Sequence, residues 1–337
     1  MRTLTIFIVS LFVSFNLYSS PMNDLIDFDN NQAKQETGYY VAYLTECVNN
    51  PYCEARLAGM EAAAEKYGFK YKLFDANFNP ATQFEHVQTA VTLNFDGYVY
   101  MPAAEAPGCA GFKLLQSSGK PVANGNSPMC GNKQFTEGTI SFVAFQTQEY
   151  FTNIVRDAFK DCKTECKAIA VGGFVGSDLF TRWENAIEIA NKEYPNVNVV
   201  VNQEGRFDPR VAHDVVSNGL TAHPDTSIIL CSWDDMTRGC ESGALAVGAD
   251  LGGSVKIYSV GGTILALEKL KAGLWEKSTV LLPFEEAYYT SVALMRYLLT
   301  GEATPGWSNL GETPTVTNGP GTIFISKDNA DKLKPNY

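Results

Sequence analysis

Three histidines are all that 337 residues contain, and no CxxC pair accompanies them. That scarcity argues against zinc, which is held by clustered Cys and His at short spacing. Basic charge is also short: 26 Lys and Arg face 37 Asp and Glu, a formal charge of −11. Such a surface repels phosphate backbones, so no nucleic-acid partner is expected. Nucleophile motifs are missing, and no pair of carboxylates stands out from ordinary acidic surface. His86, His213 and His223 fall on helical segments or helix ends and read as structural. Gly172-Gly173-Phe174-Val175-Gly176-Ser177 lacks both the full dinucleotide fingerprint and the lysine of a P-loop. No enzyme and no cofactor are therefore expected. Past residue 20 no apolar run is long enough to span a bilayer.

What is present is a globular composition: 45% hydrophobic and 19% charged residues, with 28 Gly and 15 Pro. It excludes global disorder and collagen-like repeats. The length suggests two domains at roughly 100–200 residues each.

Residues 1–20, MRTLTIFIVSLFVSFNLYSS, carry Arg2, a short apolar run and then small or polar residues. This is the pattern of a secretory signal, and it implies an exported protein. An N-terminal anchor helix is the competing reading. Pro21 disfavours cleavage directly before it, so a cut after Ser19 is expected. Eight cysteines agree with export. Nearest neighbours would pair Cys47 with Cys53, Cys109 with Cys130, Cys162 with Cys166 and Cys231 with Cys240. Each pair would close a short loop as a local clip. Eight cysteines allow 105 connectivities, so other pairings stay open.

Residues 23–37 are polar and read as a loose segment. From residue 38, short apolar strands alternate with amphipathic helices. The run pauses near residue 123 and restarts at 138. Pro51 at a first-turn position and Gly68 as a stop frame one helix. Two successive βα runs predict an α/β protein with two lobes, each a parallel sheet covered on both faces. Ligands of open α/β sheets bind beyond the carboxyl ends of strands, so the loops there are the candidate site.

At these loops the sequence resembles the periplasmic sugar-binding proteins of the ribose-binding type. The resemblance rests on Asn49-Asn50-Pro51-Tyr52, on the segment 75–80 with its following helix, and on Gly119-Lys120-Pro121-Val122. Phe207-Asp208 and Leu220-Thr221-Ala222-His223-Pro224-Asp225 continue it in family order, over roughly 38 to 300. The segment 322–329 looks like the end of related aldose- and autoinducer-2-binding proteins. The resemblance implies a type I periplasmic binding protein fold, with two Rossmann-like lobes joined by a three-segment hinge. The expected boundaries are 38–145 plus 283–310 for lobe one and 146–282 plus 311–337 for lobe two. It also implies a solute-binding protein, expected to be a monomer, that closes on a sugar or polyol and delivers it to an ABC transporter permease. A sensory protein docking on a chemoreceptor or sensor kinase is the alternative.

Several side chains match the family's ligand positions. Asn50 and Asn126 offer amides, which donate and accept hydrogen bonds to hydroxyls. Tyr52, Phe207 and Trp233 offer aromatic faces. Glu46 could accept from a hydroxyl, and Arg182 with Asp178 could hold ring or hydroxyl oxygens. Asp234 follows Trp233 inside the 231–240 clip. Each has a bland alternative: capping for Asn50 and Asp234, a turn for Asn126, a solvated acid for Glu46. A surface ion pair is the alternative for Asp178 and Arg182, and core packing for Phe207 and Trp233. Two family anchors are replaced: the lobe-two acid by Gly261, and the hinge-proximal amide by Leu282 or Pro283.

Overall fold

The computed structural model describes residues 19–131, 135–335 and 337. The signal-peptide reading therefore falls almost wholly outside the described residues.

The strands are short, and those inside each sheet are buried nearly throughout, as parallel strands covered on both faces must be. The first five are β1 (Tyr40–Thr45), β2 (Lys70–Asp75), β3 (Gly97–Tyr100), β4 (Val122–Gly125) and β5 (Ser141–Ala144). The next five are β6 (Cys166–Gly172), β7 (Val197–Glu204), β8 (Thr226–Cys231), β9 (Lys256–Tyr258) and β10 (Lys277–Thr279). Two more, β11 (Trp307–Asn309) and β12 (Phe324–Ser326), complete two six-stranded sheets. Their orders are β11-β5-β4-β3-β1-β2 and β12-β10-β9-β8-β6-β7. All pairings are parallel except β12 on β10. Setting β11 and β12 aside, the second sheet repeats the first strand for strand. The chain passes between sheets after β5, after β10 and after β11.

Alternation along the strands divides the first core. Val41, Tyr43, Val99 and Met101 face helices Pro51–Tyr67 and Pro283–Thr300, beside Met60, Ala63 and Leu294. Ala42, Leu44, Tyr98 and Tyr100 face the other way, toward Val87, Phe112 and Leu115. Helix Pro51–Tyr67 begins as the sequence predicts, with Asn50 accepting from Cys53 N, and ends at Gly68 in the left-handed region. All four nearest-neighbour cysteine pairs are joined, with Cα separations of 4.9–7.0 Å. Among the described residues no helix is long and apolar enough to cross a membrane.

The segment 23–37, expected to be loose, is helical in its first half and forms no regular element over 32–37. Pro21–Asn30 is a helix capped by Ser20, and it buries Met22, Leu25, Ile26 and Asp29. These positions fall at i, i+3, i+4 and i+7, one face of a helix. Asp29 accepts from Tyr67 Oη at 2.7 Å and from Tyr288 Oη, and pairs with Lys66 at 2.8 Å. The mean polarity of the stretch concealed a four-residue buried stripe whose last member is an acid.

Candidate functional site

The order of each sheet reverses beside its first strand, between β1 and β3 and between β6 and β8. Crevices at the carboxyl ends of such strands bind ligands. The structure places a cavity of about 610 Å3 there, between the two lobes. Loops after β1, β2 and β4 line it from the first lobe with Glu46, Asn50, Tyr52, Asn77, Phe78 and Asn126. Loops after β6, β7 and β8 line it from the second with Phe174, Arg206, Phe207, Ser232, Trp233 and Asp235. Gln146 and Leu281, on two of the crossings, also face it, as does Leu179.

Six of the sequence candidates thus meet at one cavity: Glu46, Asn50, Tyr52, Asn126, Phe207 and Trp233. Asn50 also caps its helix, so its Oδ1 is occupied by Cys53 N at 3.0 Å. Trp233 and Phe207 meet edge to face at 6.0 Å, and Phe207 meets Phe174 likewise at 6.0 Å. Gly173 permits this packing, since a Cβ there would lie 2.5 Å from the Phe207 ring.

Asp178, Arg182 and Asp234 do not line the cavity. Asp178 reaches across to the other lobe, where its Oδ2 accepts from the Glu105 backbone N–H. Arg182 is buried and donates to the Gln146 carbonyl at 2.9 Å, which fixes the first crossing. Asp234 lies fully buried beneath the second sheet's edge. It accepts from Ser259 Oγ at 2.5 Å, Ser278 Oγ at 2.9 Å and the Thr263 backbone N–H at 3.0 Å. Burial nonetheless pushes its carboxyl up from the ordinary range. Gly261 makes room for it: a Cβ at 261 would stand 2.4 Å from Asp234 Oδ2.

Beneath the first-lobe wall runs a network that sequence reasoning missed. Fully buried Arg56 meets Glu46 at 2.6 Å and Glu286 at 3.4 Å. Tyr52 Oη donates to Glu286 at 3.0 Å, and Asn126 Nδ2 donates to the same oxygen at 3.4 Å. Gln146 Nε2 donates to Tyr52 Oη at 3.4 Å. Burial alone would lower the Arg56 guanidinium, but Glu46, Tyr43 and Glu286 hold it above its ordinary value. Burial pushes the Glu286 carboxyl up to about 7 against the opposing pull of Arg56. An acid on a buried helix face leaves no periodic signal, which is why Glu286 escaped notice. Ser232 was also missed; its buried Oγ faces no hydrogen-bond partner among the described residues. Tyr337 closes the back of this region, edge-on to Tyr52 at 5.7 Å, with its hydroxyl donating to Gly261 O at 3.0 Å. Among the described residues no cluster of His, Cys, Asp and Glu is placed to hold a metal ion.

A family model described as a periplasmic binding protein domain matches residues 41–303. The chain belongs to that family. Its members are periplasmic, non-enzymatic solute-binding proteins. The ribose import binding protein RbsB of Escherichia coli K12 is 24% identical over 201 residues. That match covers 59% of this chain and 65% of the relative, so it spans less than two thirds of the relative's length. A galactofuranose binding protein superimposes with a TM-score of 0.75 at 18% identity, over 87% of this chain and 96% of that one. The myo-inositol binding protein of Caulobacter, bound to myo-inositol, gives 0.76 at 18% identity, over 90% and 98%. The fold is that of the type I periplasmic binding proteins. Within this family fold, the lobe-two acid missing at 261 is not replaced by Asp234, which is held below the cavity wall; the second-lobe acid that lines the cavity is Asp235. The hinge position 282 is a buried leucine.

Proposed function

We propose that this protein captures a sugar or polyol between its lobes and delivers it to an ABC importer. One observation carries the reading: a single cavity joins hydrogen-bonding amides of the first lobe to aromatic faces of the second. A sugar ring needs both, since its hydroxyls lie around its edge and its C–H groups on its faces. The named relatives bind ribose, galactofuranose and myo-inositol, which supports a polyhydroxylated ligand of this class. A ligand touching both lobes favours the closed arrangement, and the three crossings are the hinge. Residues 1–20 would direct export. Cleavage after Ser19 would leave Ser20 to cap the first helix, where its Oγ accepts from Asn23 N at 3.2 Å.

Calorimetry against a panel of aldoses, furanosides and inositols tests the proposal. Binding to one member, with the ligand recovered intact after prolonged incubation, is expected. Tight binding of an amino acid or nucleoside, with no carbohydrate bound, would overturn it.

A further inference from the structure

The two lobes carry the same short motif at the same place. After β2 the chain reads Asp75-Ala76-Asn77-Phe78-Asn79-Pro80; after β7 it reads Glu204-Gly205-Arg206-Phe207-Asp208-Pro209. In both, the residue before proline caps the next helix and the proline opens it. In both, the phenylalanine and the residue before it have left-handed backbone: Asn77 at φ 47° and Phe78 at 56°, Arg206 at 57° and Phe207 at 53°. A bulky side chain at positive φ is a conformational outlier that costs energy and concentrates at binding sites. Each loop is also tied to its neighbour. Phe78 N donates to Glu46 O at 2.6 Å, and Arg206 N donates to Gly173 O at 3.1 Å.

The result is a pair of aromatic rings projected from opposite lips of one cavity. Phe207 leans on Phe174 and Trp233, whereas Phe78 makes no ring contact among the described residues and is 48% exposed. Phe174 and Val175 on the opposite lip are exposed as well. Of the lining groups, Glu46 and Asn126 are buried, whereas Phe78 and Phe174 are exposed. The volume, about 610 Å3, is that of sites for drug-sized molecules, typically ~300–1,000 Å3.

Building on the sugar-capture reading, we propose that Phe78 and Phe174 form an outer apolar subsite for a hydrophobic substituent. The ligand class would then be a glycoside with an aromatic or alkyl aglycone, its sugar on the floor and its aglycone between the lips. Phe78 is exposed apolar surface with no ring partner among the described residues, and Phe174 keeps an exposed face although it packs on Phe207; exposed rings lining one cavity from both lobes mark a binding site. Aromatic pairing adds to the gain from area alone.

Calorimetry with methyl, phenyl and 4-nitrophenyl glycosides of galactose, glucose and arabinose tests this. The aryl glycoside of the sugar that binds should exceed its methyl counterpart by about tenfold. In Phe78→Ala that aryl-to-methyl ratio should collapse toward one, and Phe78→Tyr should restore it. A ratio near one in the native protein would overturn the subsite, as would a ratio that survives Phe78→Ala. If free sugars bind while aryl glycosides are excluded, only the subsite fails. If neither sugars nor glycosides bind, the sugar-capture reading fails and takes the subsite with it.

Discussion

The first lobe brings Glu46, Asn50, Tyr52 and Asn126 to the cavity, with Phe78 at its lip; the second brings the packed rings Phe174, Phe207 and Trp233, beside Arg206, Ser232 and Asp235. Their strand orders match, so topology did not impose this difference. It follows from what lies behind each wall. Behind the first is a buried ion network of Arg56, Glu46 and Glu286, which fixes the hydrogen-bonding groups in place. Behind the second is an internally satisfied acid, Asp234, whose hydrogen bonds all go to the protein's own hydroxyls and amides. The first wall thus holds its hydrogen-bonding groups through a buried network, and the second alone carries a packed cluster of rings. Hydrogen bonds discriminate among hydroxyl patterns, while stacked rings contribute affinity with looser orientation.

Removing Arg56 should produce the largest effect and break the first wall. Arg56→Ala leaves two carboxylates in a buried site without their cation, a change that typically costs about 3–5 kcal/mol. Urea unfolding would measure it. A loss below about 1 kcal/mol would mean that Glu46 and Glu286 are not held by this residue.

Glu286 gives the next effect, through pH. Its carboxyl rises from an ordinary 4.5 to about 7, by burial first, with Arg56, Tyr52 and Asn126 pulling the other way and Glu46 adding to the rise. A carboxyl raised on folding is favoured in its neutral form. The stability it contributes is full below about 4.5 and lost as pH climbs through about 7. The shift corresponds to about 3 kcal/mol at most. Between pH 5 and 8 the native protein should lose stability that Glu286→Gln retains. Parallel pH profiles for the two would remove Glu286 as the source.

The second wall is tested by Trp233→Ala, which should cost about 2 kcal/mol in ligand binding, as buried aromatic anchors do. Folding should suffer less, because the indole is only partly buried and rests on Phe207. Tryptophan fluorescence should shift on ligand addition, and the shift should shrink in the variant. An unchanged dissociation constant would assign the ring to packing.

Much of the fold was legible because its signals are local. Pro51 and Gly68 bracket a helix by backbone chemistry alone, and buried parallel strands such as Tyr40–Thr45 are apolar runs in the sequence. The helix Pro21–Asn30 was not legible, since its buried face ends in Asp29, whose partners Tyr67 and Tyr288 lie far away in the chain. The site divides in the same way. Trp233 and Tyr52 could be placed from strand ends and a motif. Glu286 could not, because its role comes from Arg56 on a different helix. Phe78 sits in Asn-Phe-Asn-Pro, which reads as a polar turn. The available signal was the second copy of that motif around Phe207.

Asp178 separates the two lobes by the smallest margin. It opens helix Asp178–Glu193 in the second lobe, yet its carboxylate accepts from Glu105 N–H, at the start of helix Glu105–Ser117 in the first. That first-lobe helix has Ala104 at its cap, which offers no side-chain hydrogen bond. An acid from the opposite lip therefore does what a capping residue does, with the helix dipole in its favour. Opening the lobes breaks this bond and returns the amide to water. Asp178→Ala should thus weaken the closed state by about 1 kcal/mol, a typical cap. Ligand affinity should fall about fivefold, because binding is coupled to closure. Asp178→Asn keeps an acceptor and should retain most of the affinity. The unfolding temperature of the ligand-free protein should hardly move, since the open form lacks the contact. A drop in that temperature as large as in the ligand-bound protein would place the contact in both states. Asp178 would then belong to the static scaffold rather than to closure.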